Sequence, residues 1–402
     1  MARLARIALA VGTSALTLTA TLAGAAPASA DDGNNRADVV FGAGSDTTYF
    51  LMQKLDDLYN GSVGCATTRQ GVTAPLNGQC AAPGVPDVRS ENYTHDVIAE
   101  YFPNGSGNGK RQLAQQGLAG VNPIGFARSS SGPAVSDAAG LRYVAFARDA
   151  IDWVSFPNAA GSSSAGVQNL SLAQLRSIFT QCTTKDWRQL KDTAYALPAG
   201  YDGTAAGDQP IAVYAAQAGS GTRTTFDGFL GGSSDACIPL ALKDGNQANG
   251  ERVIFENNAR PIAQSPDAKN AISYYSFGRY TQSGGEGSVL GKIGGVSPTP
   301  DSLQADAEVP FSFSRNLYNI YRNQAVTTTA PNASAAARAY VGELDGFLCR
   351  VNEGHAADPA NGVNYGLLVE RTIQIEGFVP IRPGAIGGGV TGTSKCRVVA
   401  SN

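Results

Sequence analysis

The sequence predicts an α/β protein, and three observations carry that expectation. A short apolar run passes through a small-residue turn into a helical pattern three times, at Gly44-Ser45-Asp46-Thr47, at Gly105-Ser106-Gly107 and at Gly219-Ser220-Gly221-Thr222. Hydrophobic residues make up 43% of the chain and charged residues 16%, enough to build buried cores and to exclude global disorder. The 48 glycines and 20 prolines follow no short period, which excludes collagen-like and low-complexity chains. At roughly 150 residues per domain, 402 residues suggest two or three domains, or two large ones.

The elements follow in order. Arg3 and Arg6 precede an apolar run from Ile7 to Ala23, and Ala28-Ser29-Ala30 has the form of a cleavage site. Residues 1–30 are therefore expected to be a signal peptide cut after Ala30. The product is expected to be secreted and soluble, without a lipobox, because no cysteine lies near the cut. Ala37 to Phe41 reads as a buried strand, and Leu51, Leu55 and Leu58 as one face of the next helix. Asn60 to Arg89 is Gly-, Pro- and Thr-rich and reads as a loop. Strands are expected at Val97–Tyr101 and Ile124–Arg128, with a helix between them from Lys110 to Gln116.

Tyr143 to Phe156 is apolar and aromatic and reads as a crossing between domains. Ser171 to Phe179 reads as a capped helix, Pro210–Tyr214 and Ala271–Tyr275 as strands, and Asn332–Cys349 as an amphipathic helix. Trp153 and Trp187 read as packing residues. Six cysteines in an exported chain imply three disulfides. Of fifteen pairings, neighbours are favoured: Cys65–Cys80, Cys182–Cys237 and Cys349–Cys396.

Function classes narrow by elimination. A net charge of -3 argues against a broad nucleic-acid face. Only His95 and His355 exist, which removes most zinc sites and most histidine-based catalysis. No Walker A motif, dinucleotide fingerprint or G-x-S-x-G elbow appears, so no cofactor and no enzyme activity is expected. What remains is the set of turns. A helix start offers free N–H donors and partial positive charge, and hydroxyls add further donors. Such turns suit a small anion, and they lie at the carboxyl ends of strands, where open α/β sheets bind ligands.

The ordered set of segments resembles the phosphate-binding proteins of ABC importers, of the type II periplasmic-binding-protein fold. It comprises Phe41 to Ser45, Gly105 to Gln112, Gly125 to Ser129, Leu172 to Phe179 with Lys185-Asp186-Trp187, Ser220-Gly221-Thr222 with Phe226, and Ala271 to Tyr275. The resemblance implies two lobes (a Venus flytrap) joined by a two-crossover hinge. Lobe I would combine 31–150 with 303–402, and lobe II would be 151–302. Each favoured disulfide then stays within one lobe.

The resemblance implies a ligand set of Asp46, Thr47, Ser106, Ser129, Ser220, Gly221 and Thr222, no metal, and a monomer that hands its anion to an ABC permease without being embedded in the membrane. Two departures stand out: Ser129 occupies the family's Asp position, and Ala216 its Arg position. The missing roles are expected to have moved, the proton acceptor to Asp46 and the cation to Arg128, with Arg223 as the weaker candidate. The alternatives are the same fold with sulfate, an organic acid or a phosphate ester, or an extracellular wall or adhesion protein.

Overall fold

The computed structural model describes residues 39–61, 87–92, 102–115, 124–243, 251–304, 306–322, 337–338, 340–342, 347–350, 365–381 and 398–400. The expected signal peptide, the Cys65–Cys80 pair, Cys396, both histidines and the strand expected at Val97–Tyr101 lie outside these residues.

Strand β1 (Val39–Gly44) is buried throughout, as a parallel strand covered on both faces should be. It lies between β2 (Asp87–Ser90) and β3 (Phe126–Ser129), parallel to both. Its partner β2 overlaps the stretch expected to be loop and runs one residue past it: four residues, three of them polar, give too short a pattern to read. Helix α1 (Tyr49–Gly61) buries Leu51, Met52, Leu55 and Tyr59, each side chain contributing about 1.5–3 kcal/mol. Helix α2 (Ser106–Ala114) starts four residues before the expected Lys110, directly on the Gly-Ser-Gly turn.

Strand β4 (Leu141–Ser155) is 15 residues long. Its first part pairs antiparallel with β12 (Ser314–Arg322), and its last part, from Ile151, with β9 (Ala271–Ser276). Between these strands lie β5 (Asn169–Leu170), α3 (Leu172–Phe179), α4 (Arg188–Lys191), β6 (Ala212–Val213), β7 (Ala215–Ala216), α5 (Gly221–Leu230), β8 (Val253–Ile254), α6 (Arg260–Ala263), α7 (Phe277–Ser283), β10 (Val289–Leu290) and β11 (Lys292–Ile293). After β12 come α8 (Phe347–Arg350), α9 (Tyr365–Ile375), β13 (Val379–Pro380) and β14 (Val398–Ala400). Of the helix expected over Asn332–Cys349, α8 holds the last turn, and most of the rest lies outside the described residues.

The main sheet runs β2-β1-β3-β12-β4-β9-β6, with β10, β13 and β14 also pairing with β4. It is α/β, and it is two-lobed because the sheet passes from one lobe to the other through β4. Val40, Leu51, Leu55, Phe126, Tyr340, Val369 and Ile373 form a core on one side of that passage. Ile151, Trp153, Leu175, Phe179, Trp187, Phe226, Ile272 and Tyr274 form a core on the other. Trp153 and Trp187 are both buried, their indole N–H groups donating to the carbonyls of Lys292 and Asn270.

The chain crosses back beside its first crossing, where Ile151 N donates to Phe313 O at 3.1 Å. Leu303, Phe311 and Phe313 pack into the core of the middle segment. The return therefore lies near Phe313–Ser314, about ten residues beyond the expected boundary after Ser302. Within the middle lobe, Cys182 and Cys237 are bonded as expected. Cys349 is also disulfide-bonded. Among the described residues no helix is long and apolar enough to cross a membrane.

Candidate functional site

The carboxyl ends of β1, β3, β7 and β8 meet where the two lobes touch. On the first lobe the β1–α1 turn presents Ser45, Asp46 and Thr47, all buried. Facing it, the β7–α5 turn presents Ser220, Gly221 and Thr222, also buried. The lobes are in contact: Gly107 N donates to Gly219 O at 3.0 Å, and Thr225 Oγ1 to Ser130 O at 3.1 Å. A Cβ on Gly221 would lie 2.1 Å from Ser106 Oγ and 2.5 Å from Ser130 Oγ, so only glycine admits this approach.

The donors of both turns converge on one group, the carboxylate of Glu256. Oε1 accepts from Asp46 N at 2.9 Å and from Thr47 N at 3.4 Å. Oε2 accepts from Ser220 Oγ and, at 3.3 Å, from Thr222 N. Ser45 Oγ shares its single proton between Ser130 Oγ at 3.0 Å and Glu256 Oε1 at 3.4 Å. Ser220 also caps α5, accepting from Arg223 N at 3.0 Å while its own proton goes to the carboxylate. A buried charge is tolerable only when it is paired and hydrogen-bonded. Here charge-assisted bonds and the partial positive charge of the α1 and α5 starts supply that compensation.

Further hydroxyls surround the carboxylate. Thr47 Oγ1 and Thr222 Oγ1 are 3.0 Å apart across the cleft. Ser106 Oγ accepts from Ser130 N at 2.9 Å and lies 3.3 Å from Ser130 Oγ. The cation beside them is Arg315, at the start of β12. It gives two N–H groups to Asp149 Oδ2, at 2.7 and 3.0 Å, and two more contacts of 3.2 Å to Thr222 Oγ1. Asp149 also accepts from Ser276 Oγ and Gly278 N, so the pair is fixed at the crossing of the lobes. Thr222 Oγ1 accepts from Arg315, which leaves its own proton for another acceptor such as Thr47 Oγ1.

The residues expected from the sequence divide. Thr47, Ser106, Ser220, Gly221 and Thr222 come together. Asp46 joins through its backbone N–H, and its Oδ1 takes Asn92 Nδ2 at 3.4 Å. Arg128 is a correction. Its guanidinium donates to the carbonyls of Gly42 at 2.7 Å, Glu91 at 2.8 Å and Ser45 at 3.3 Å, and stacks on the Tyr49 ring. Burial lowers its pKa, opposed by the charge of Asp56 among others. It holds the turn together from behind instead of facing the cleft.

Ser129 is a second correction: its hydroxyl donates to Ser131 O at 2.7 Å, and the neighbouring Ser130 is the one that enters the cleft network. Arg223 is a third, since it pairs with Asp235 at 2.7 Å and donates to Ala216 O on the middle lobe. Glu256 and Arg315 were not identified from sequence. No motif marks either, and each lies far along the chain from the turns it joins.

The family model for a PBP superfamily domain matches residues 70–344, well over half of the chain. The chain belongs to the PBP superfamily. Its fold is the two-lobed α/β form described above.

Solved structures similar to this PBP-superfamily chain include a Clostridium perfringens substrate-binding protein with bound phosphate, at 18% identity and a TM-score of 0.48, covering 85% of this chain and 99% of that one. A Vibrio cholerae ABC-type phosphate transport receptor aligns at 16% identity and 0.48, with the same coverage of 85% and 99%. The high-affinity periplasmic phosphate-binding protein PfluDING, bound with phosphate, aligns at 15% identity and 0.44, covering 86% and 90%. No curated protein matches the sequence of this PBP-superfamily chain. Among the described residues no group of His, Cys, Asp or Glu could hold a metal ion.

Proposed function

We propose that this protein is an exported solute-binding protein that captures a small oxyanion between its lobes, inorganic phosphate above all, and delivers it to an ABC-type permease. One observation carries the reading: backbone N–H groups of Asp46, Thr47 and Thr222 and the hydroxyl of Ser220, drawn from both lobes, all point at one negatively charged group. A carboxylate has two oxygens. The hydroxyls of Thr47, Thr222, Ser106 and Ser130, with Arg315 behind Thr222, extend the donor set past those two. That extension suits a tetrahedral anion. In this reading the protein binds and releases, and no bond is made or broken.

Asp46 stands in the β1–α1 turn beside the cleft, and a carboxylate there favours an anion that carries a proton. Hydrogen phosphate has one to give at neutral pH, and sulfate has none. The second reading is a small organic acid, favoured by the fact that the group seated in the cleft is a carboxylate.

Calorimetric titration of the mature protein, stripped by partial unfolding and refolding, tests both readings. Phosphate is expected to bind and sulfate to stay silent, and Asp46→Asn is expected to narrow the gap between them. Binding of acetate or citrate with phosphate silent establishes the second reading. Silence toward all of these anions overturns both.

A further inference from the structure

Glu256 is the feature that anion capture leaves unexplained. A site built for a free anion already holds one, and that one is part of the chain. Glu256 is 2% exposed and sits just past β8, on the middle lobe. Its carboxylate bonds reach Asp46 and Thr47 on the other lobe as well as Ser220 and Thr222 on its own. It therefore occupies the position of a bridging ligand. The segment that carries it is built to hold it there. Glu256 N donates to Gln217 Oε1 at 2.8 Å.

Asn257 takes a left-handed φ of 59°, which asparagine tolerates better than most residues. Its carbonyl accepts from Tyr275 Oη at 2.5 Å and its Oδ1 from Ser276 N at 2.9 Å. Asn257 Nδ2 then crosses the cleft to Thr47 Oγ1 at 2.9 Å. Two consecutive residues thus clasp the same turn of the opposite lobe, one by charge and one by an amide.

We propose that Glu256 is a tethered ligand: a carboxylate that seats itself in the anion cradle, holds the lobes closed without solute, and must leave before a solute anion can enter. This rests on the anion-binding reading above. A solute anion and the Glu256 carboxylate are like charges that need the same N–H groups, so they exclude each other. Binding is then an exchange. A tethered group has an effective concentration on the order of millimolar, so weak intrinsic attraction suffices to keep it seated. The apparent affinity for solute falls by the fraction of molecules with the cradle vacated. Glu256 thereby sets the concentration at which the protein begins to load.

The test compares wild type, Glu256→Ala and Glu256→Gln by calorimetric titration with inorganic phosphate and by small-angle X-ray scattering with and without phosphate. Solute-free wild type is expected to be as compact as the loaded protein. Solute-free Glu256→Ala is expected to be larger and to contract when phosphate is added. Its phosphate affinity is expected to rise tenfold or more. Glu256→Gln keeps the shape, loses the charge and should fall between the two, and it decides the matter if the alanine variant does not fold.

Where wild type binds phosphate, an unchanged or weaker affinity in both variants overturns the tether, and so does a solute-free wild type as expanded as Glu256→Ala. The two readings fail separately. Expansion of the variant with no binding of phosphate in any form sinks phosphate capture and leaves the tether standing. Phosphate binding of equal strength in all three, without expansion, does the reverse.

Discussion

Arg128 and Arg315 stand on neighbouring strands, β3 and β12, both buried and both close to the cleft, yet they do opposite work. Arg128 has its donors on three backbone carbonyls and its face on Tyr49. The carboxylate that most offsets its burial, Asp56, acts at a distance. Arg315 has its carboxylate in direct contact and turns its remaining N–H groups to Thr222 and to the carbonyl of Ser130. A guanidinium's role is set by what its five donors meet. Standing beside a glycine-rich turn in sequence does not set it.

The largest effect is expected at Arg128. Arg128→Met takes a donor from each of three backbone carbonyls, of which Gly42 O keeps the N–H of Glu91, and is expected to cost about 3–5 kcal/mol of stability in denaturant unfolding. Anion affinity of the folded protein should change less than threefold. A large loss of affinity with stability intact would mean that Arg128 faces the ligand after all.

Asp56 comes next in expected effect. Burial pushes its pKa up to about 6 from 3.8, against hydrogen bonds from Tyr340 and Ser90 and the charge of Arg128. The folded state therefore holds a proton that the unfolded state has released between those values. Stability from this group is fully present below pH 3.8 and is lost as pH rises through about 6. The change is about 3 kcal/mol for a shift of this size. Unfolding measured from pH 4 to pH 7 should show that slope, and Asp56→Asn should flatten it.

The smallest expected effect belongs to Arg315→Lys. The charge stays and can still meet Asp149, while the contacts to Thr222 and Ser130 cannot all be kept. A loss of about tenfold in anion affinity, or about 1.4 kcal/mol, is expected with little change in melting temperature. An unchanged affinity would remove Arg315 from the site.

What the sequence disclosed follows from where the information lies. The β7–α5 turn was legible because Ser220, Gly221 and Thr222 carry cap, close approach and donor within three consecutive residues. The β1–α1 unit of the first lobe was legible for a similar reason, with Ser45, Asp46 and Thr47 consecutive between strand and helix. Strand β12 was not, because its inward positions include Arg315 and Asn319, polar residues that mask the alternation of Leu317 and Tyr321. A register shift between Leu317 and Tyr318 breaks the period as well. Glu256 was hidden more deeply. Phe255-Glu256-Asn257 belongs to no helix or strand, and its meaning exists only once β8 has been laid parallel to β7. Arg128 misled because its strand was read correctly while the direction of its side chain was not.

Strand β4 has one more consequence. It is a single ribbon that belongs to both lobes, and a second strip of chain at Phe313 is bonded alongside it at Ile151. Two strips fastened side by side behave as a flat strap. A strap flexes about one line and resists shear and twist about the others. The resistance to sliding keeps Gly221 in line with its narrow seat between Ser106 and Ser130.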